Sequence, residues 1–270
     1  RWVSLFLSLT TVSTVCYPQQ GQSQTIVPAN DGTGTLVLPN GDRLDITGGT
    51  RAGANLFHSF DQFGLTSGQI ANFLSNPAIQ NILGRVNGGN PSVIKGLIQV
   101  SGGNSNLFIM NPAGIIFGAN ASLNVPGSFT ATTANRIGFS GGWFNSTGTN
   151  NYQSLIGNPI SFAFDGSNSG TIINSGDLAV ATGQNLSLIG GSVINTGNLS
   201  GGNVIVQSVP GGNLVKISTP GSPLSIEIAP LTNQQGEVQE IKGTDLPELL
   251  TTAQKSGVET GLTLDKTNNT

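Results

Sequence analysis

Residues 90–118 read NPSVIKGLIQVSGGNSNLFIMNPAGIIFG, and their rhythm decides the fold. Gly96-Leu97-Ile98-Gln99-Val100 is a short apolar run, stopped by Ser101-Gly102-Gly103-Asn104. Asn106-Leu107-Phe108-Ile109-Met110 follows and is stopped by Asn111-Pro112-Ala113-Gly114. Ile115-Ile116-Phe117 is the third run, ended by Gly118-Ala119-Asn120. Brief extended pieces between Gly, Asn and Pro corners read as strands and tight turns.

The same rhythm runs from Arg85 to about Ala229, and part of it repeats. Ile172-Ile173-Asn174-Ser175-Gly176-Asp177-Leu178 aligns with Val193-Ile194-Asn195-Thr196-Gly197-Asn198-Leu199 at an offset of 21 positions (193 − 172). Asn185-Leu186-Ser187-Leu188 is echoed loosely by Asn203-Val204-Ile205-Val206. A period near twenty with three short strands fits one coil of a parallel β-helix, which buries its apolar side only when coils stack. Gly and Asn suit the corners because both tolerate positive φ, and stacked Asn side chains can hydrogen-bond from coil to coil. A β-sandwich also needs short strands and turns, but the 21-residue echo favours the helix. Short hairpins are expected to flank it, with Asn40-Gly41 as a hairpin-turn signal. Residues 65–83, LTSGQIANFLSNPAIQNIL, are the best helical candidate of the body; Ser67 could cap a turn or two before Asn76-Pro77 interrupts.

Composition agrees with an all-β chain. Of 270 residues 39 are Gly, 36% are hydrophobic in β-branched clusters, and only 9% are charged, so the chain is not a disordered polyelectrolyte; with 6% aromatics, a core built on large rings is not expected. Net charge is −3, and Arg43, Arg51, Arg85, Lys95, Arg136 and Lys216 are scattered. No basic stripe marks a nucleic-acid partner.

Both ends differ from the body. Arg1 precedes a short apolar stretch reaching Cys16, and a Pro/Gln-rich segment follows, as in a secretory signal peptide lacking its start. A buried N-terminal strand is the other reading. The expected division is 1–24 signal peptide, 25–230 β-helix domain, and 231–270 polar linker or start of a downstream region. Cys16 is the only cysteine, so the chain beyond it carries no disulfide and must be held by burial and backbone hydrogen bonding.

Enzymatic chemistry has little material. Between Gln62 and Phe164 there is no Asp or Glu, and the body up to Ile226 adds only Asp165 and Asp177, 12 positions apart (177 − 165). A general acid–base pair, as in polysaccharide-cleaving β-helices, cannot be assembled from these. His58, the only histidine, lies between aromatics and reads as packing. No calcium nonapeptide or Ser-His-Asp arrangement is present, and no catalytic, metal or cofactor site is expected. Thr130-Ala131-Thr132-Thr133 reads as ordinary strand exterior.

Ile82-Leu83-Gly84-Arg85-Val86, Asn90-Pro91-Ser92, Gly96-Leu97-Ile98-Gln99-Val100 and Asn111-Pro112-Ala113-Gly114-Ile115 stand in an order that resembles the haemagglutination-activity domain. That is the N-terminal secretion domain of filamentous-haemagglutinin-like two-partner secretion exoproteins. The likeness covers roughly residues 26–170, with wording similar to cyanobacterial members. The family motif reads Asn-Pro-Asn-Gly-Ile at its last position, so Ala113 departs from it, and its Asn-Pro-Asn-Leu motif has no clear equivalent here. The resemblance implies a right-handed β-helix that follows a signal peptide into the periplasm of a Gram-negative-type bacterium. POTRA domains of an outer-membrane β-barrel transporter would recognise it before it folds. It would then emerge at the cell surface or be secreted, and seed folding of the rest of an adhesin or haemagglutinin rod. Asn90, Pro91, Ser92, Asn111, Pro112, Gly114 and Ile115 are the candidate recognition and nucleation motif; the alternative is that they only turn the chain. A glycan- or protein-binding adhesin module is the second functional reading, and a polysaccharide-active β-helix the third.

Overall fold

The computed structural model describes residues 25–166, 169–217 and the strand Glu227–Pro230. Its strands stack into a β-solenoid. The broad face consists of Asn55–Gln62, Asn81–Val86, Asn106–Met110, Phe129–Thr132, Asn185–Gly190 and Asn203–Ser208, each parallel to the last, which makes six coils. A short face carries Ser92–Ile94, Ile115–Phe117, Thr171–Asn174 and Ser192–Asn195. The third face carries Arg43–Gly48, Ile70–Leu74, Leu97–Ser101, Ser122–Asn124, Asp177–Ala179 and Asn198–Ser200. Thr35–Asn40 pairs antiparallel with Arg43–Gly48, and Val27–Pro28 with Asn55–Gln62, so a cap closes the N-terminal end.

The 21-residue echo is coil register. Ile172 pairs with Val193 and Asp177 with Asn198, and the loose echo pairs Asn185 with Asn203. Asn side chains bond from coil to coil as expected: Asn106 Nδ2 donates to Asn81 Oδ1 at 2.9 Å, and Asn81 Nδ2 to Asn55 Oδ1 at 2.9 Å. Asn174 Nδ2 donates to Asn195 Oδ1 at 2.8 Å.

Alternation along each strand fills the solenoid interior. Ile82, Val86, Leu107, Ile109, Phe129, Ala131, Leu186 and Leu188 all enter one buried core. The broad face is also covered on its outside. Arg136–Phe139, Gly142–Asn145, Ser161–Phe164, Asn213–Lys216 and Glu227–Pro230 form a five-stranded antiparallel sheet. Its Ile137, Phe139, Phe144, Phe162, Phe164 and Val215 pack with Phe57, Leu83, Met110 and Ile189 in a second core. Strands such as Asn81–Val86 are therefore buried at every position, as strands covered on both faces must be.

The overlying sheet breaks the period. Phe129 pairs with Leu186, an offset of 57 positions (186 − 129), whereas Leu107 pairs with Phe129 at 22 (129 − 107). It also corrects the reading of Thr130-Ala131-Thr132-Thr133. Ala131 faces the solenoid core, and Thr130, Thr132 and Thr133 are buried rather than exterior.

Two local expectations change. Residues 65–83 hold the strand Ile70–Leu74 and the start of Asn81–Val86, with no helix; Tyr152–Ser154, a 3-10 turn, is the only helical element among the described residues. Ala71 and Phe73 alternate into the core and pair with Leu44 and Ile46 on one side and Ile98 and Val100 on the other, so tertiary pairing overrides the helical spacing. The Asn76-Pro77 break is a turn, with Ile79 N donating to Asn76 O at 3.0 Å. The hairpin signalled by Asn40-Gly41 forms one residue later. Asn40 pairs with Arg43, and Gly41-Asp42 is the loop, with Gly41 at φ +61°. The signal-peptide reading of 1–24 and the linker reading of 231–270 lie outside the described residues.

Candidate functional site

The two Asn-Pro dipeptides occupy the same corner of successive coils. Asn81–Val86 leads through Asn90-Pro91 into Ser92–Ile94, and Asn106–Met110 leads through Asn111-Pro112 into Ile115–Phe117. Parallel pairing of Ile115 with Ser92 sets one corner on the other.

Asn111 is 1% exposed, and its side chain organises both turns. Nδ2 donates to Asn90 O and to Ser92 Oγ, each at 3.0 Å, in the preceding coil. Oδ1 accepts from Ala113 N at 3.0 Å within its own turn. Gly114 N donates to Asn111 O at 3.0 Å, and Ser92 N donates to Gly114 O at 3.0 Å. A buried amide with all these partners sets corner and register together.

Glycine is required on the next two steps. Gly114 has φ +122°, and a Cβ there would lie 3.1 Å from Thr171 O. Gly170, which covers this corner in the following coil, donates its N–H to Pro112 O at 3.0 Å, and a Cβ on it would come within 2.4 Å of that oxygen. Ala113 contributes its N–H, a bond any residue but proline can make, so the departure from the family motif leaves the turn intact.

The structure thus brings all seven predicted residues to one place but at three depths. Ser92, Asn111, Gly114 and Ile115 are buried; Pro112 is half-buried; Asn90 and Pro91 are exposed. A folded domain can present only Asn90, Pro91 and part of Pro112 to a partner.

The remaining polar residues point to packing. His58 is fully buried in the solenoid core beside Phe60 and Phe73, at ring separations of 6.2 and 5.8 Å, and neither ring nitrogen has a hydrogen-bond partner. Burial pushes its pKa down from 6.5 to about 4. Asp165 is bonded to Arg136 Nη2 at 2.9 Å, and the Arg136 guanidinium lies 4.7 Å from the Trp143 ring centroid. Among the described residues no group of three His, Cys, Asp or Glu could hold a metal ion.

A polar network at Arg85 escapes the sequence reading. Its Nη2 lies 2.7 Å from Asp31 Oδ2, and its Nη1 donates to Asn145 O and Gly148 O at 2.8 and 2.9 Å. The one available signal was a lone charge inside the apolar run Asn81–Val86.

Comparison with known proteins agrees with this architecture. The family model of the TPS secretion domain matches residues 20–254. Among solved structures the chain is similar to the HMW1 secretion domain from Haemophilus influenzae, with a TM-score of 0.54, 21% identity and 79% of this chain covered. It spans half the length of that chain (50%). Similarity to the filamentous hemagglutinin secretion domain has a TM-score of 0.35 and 16% identity, over 68% of this chain and 100% of that one. No curated protein sequence matches. On the match over residues 20–254, the chain belongs to the TPS secretion domain family, the non-enzymatic two-partner secretion domains of exoproteins exported across the outer membrane.

Proposed function

We propose that the stacked Asn-Pro corner is read by the POTRA domains of the outer-membrane transporter while the chain is unfolded, and that the same residues nucleate the solenoid once the chain has crossed. The observation that carries this reading is the burial of Asn111, at 1% exposure, and Ser92, also at 1%. Side chains that vanish into the folded corner are available to a partner only before folding. One motif then serves export and release: extended, it is a ligand; folded, its Asn111 amide is consumed by Asn90, Ser92 and Ala113.

The C-terminal end of the solenoid supports a nucleating role. Val204 and Val206 pair with the core residues Leu186 and Leu188 and so point inward, yet they are 43% and 47% exposed. They offer apolar surface for a further coil of the exoprotein. A signal peptide at 1–24 and an adhesin or haemagglutinin rod beyond 231 complete the proposal.

The test is binding of purified POTRA domains to the chain kept in urea and diluted at the moment of mixing, against chain allowed to fold first. The reading expects capture of the unfolded chain and little of the folded one. Equal capture of both would overturn it, and binding of the folded chain to a glycan array instead would favour the adhesin-module reading.

A further inference from the structure

Arg85 lies on the outer side of the broad face and is 2% exposed. A guanidinium keeps its charge in any protein, so its burial requires partners. Those partners come from three separate parts of the chain. Asp31 in the cap loop meets Nη2 at 2.7 Å, Ser59 Oγ of the first broad-face strand accepts from Nε at 2.9 Å, and Asn145 O and Gly148 O of the overlying sheet's hairpin accept from Nη1. A second link joins the cap loop to the 3-10 turn just after the hairpin: the Thr33 and Tyr152 hydroxyls lie 2.9 Å apart.

The energetics of the two incomplete arrangements differ in kind. With the hairpin docked and the cap away, a cation is buried without its counter-charge. With the cap docked and the hairpin away, Arg85 and Asp31 form a surface ion pair, which contributes about 0–1 kcal/mol. Each part therefore strengthens the other. The cap loop also bonds to Asn55–Gln62 through Ala29 N–H and Ser59 O, and the hairpin packs through Phe144 on Phe57. We propose that the cap loop at 29–34 and the hairpin at 142–150 close cooperatively as a latch through Arg85, each docked more weakly when the other is away. The latch stands on this geometry and is independent of the transporter reading. Joined to export, it means that the loop at 29–34 is held more loosely until Gly148 has reached the same compartment.

Native-state hydrogen exchange on the full chain tests the latch. The Ala29 amide, bonded to Ser59 O, reports the cap; the Ser146 amide, bonded to Asn135 O, reports the hairpin; the Leu107 amide, bonded to Ser128 O, reports the coils. Asp31→Asn should accelerate exchange at Ser146 by about tenfold, within the range of roughly 5–150-fold common for coupled sites. Phe144→Leu should accelerate Ala29 reciprocally, with Leu107 unmoved in both. In an Arg85→Met background Asp31→Asn should no longer reach Ser146. Unchanged exchange at Ser146, one common factor at all three amides, or coupling that survives Arg85→Met would overturn the proposal.

Discussion

Asp31 and Arg85, 54 positions apart in sequence, form an ion pair of 2.7 Å that joins the N-terminal cap to the second coil. The Asp31 carboxylate also accepts from Ser59 Oγ at 2.6 Å, so cap, broad face and overlying hairpin converge on a few polar atoms. Truncating the cation strips all of them of a partner. Asp31 is exposed and regains water, so the loss comes from the buried acceptors left without a donor, and Arg85→Ala should cost about 1–3 kcal/mol. Arg85→Met keeps the packing of the stem and should fall between Arg85→Ala and the wild type. Urea denaturation at neutral pH measures both.

Two titrating groups give the stability an acid dependence with separate windows. Burial lowers the pKa of His58 from 6.5 to about 4, so the unfolded chain takes up a proton before the folded one does. Stability should fall from about pH 6.5 down to about pH 4 and level off below, by about 3 kcal/mol in all at 1.36 kcal/mol per pH unit. His58→Leu should abolish that fall, seen as a growing stability difference from the wild type between pH 7 and pH 4. At Asp31, burial pushes the pKa up, but hydrogen bonds from Ser59, Thr33 and Arg85 outweigh it and hold the group at about 2 against 3.8. Its contribution is complete above about pH 3.8 and is lost as pH falls toward 2. Asp31→Asn should flatten that lower window and leave the upper one unchanged.

Glycine substitutions in the cap loop and at the corner separate strain from collision. Gly32 at φ +84° has nothing within 4 Å of the place a Cβ would take, so Gly32→Ala should cost only the backbone term of about 1–2 kcal/mol. Gly114→Ala adds contact with Thr171 O at 3.1 Å to a φ of +122°, and Gly114→Val should cost more still. Gly170→Ala drives a Cβ to 2.4 Å from Pro112 O, a backbone atom that cannot swing away, and should lower Tm more than Gly32→Ala although its φ is ordinary.

The open end of the solenoid predicts a dissociation between stability and growth. Val204→Asp with Val206→Asp changes side chains already 43% and 47% exposed, so the isolated domain should lose at most about 1 kcal/mol. A longer exoprotein carrying both changes should yield a shorter protease-resistant fragment beyond residue 230, because the next coil meets charge where it needs apolar surface.

The solenoid was legible because its signals are local and repeated. Apolar triplets between Gly, Asn and Pro corners recur, and Ile172 and Val193 stand one coil apart in sequence and in space. What was hidden is non-local. Residues 65–83 carry helical spacing, and only the neighbouring strands through Leu44 and Ile98 draw Ala71 outstretched between them. The overlying sheet uses the same short strands and turns as the coils, so nothing in residues 136–164 announces that they leave the solenoid. Its trace is indirect: Leu83 fills an outward position of Asn81–Val86, where a solvent-facing strand would be polar. The candidate corner was legible as a pair of Asn-Pro dipeptides; that Asn111 reaches back to Asn90 and Ser92 required the register of two coils.

The central claim is that the Asn-Pro corner is recognised as sequence, beyond its part in holding the fold. Asn111→Ala removes the amide from the corner and leaves one fully buried partner, Ser92 Oγ, unpaired, at about 1–3 kcal/mol. Ile109→Ala removes buried apolar volume one strand earlier, at about 2–5 kcal/mol, and leaves the corner's side chains in place. The decisive measurement is the amount of full-length chain secreted through the cognate transporter by each variant, with their folding stabilities measured alongside. Loss of export for Asn111→Ala with export retained for the equally or more destabilised Ile109→Ala is the predicted result. Export that tracks stability alone, with both variants secreted or both retained, would contradict it.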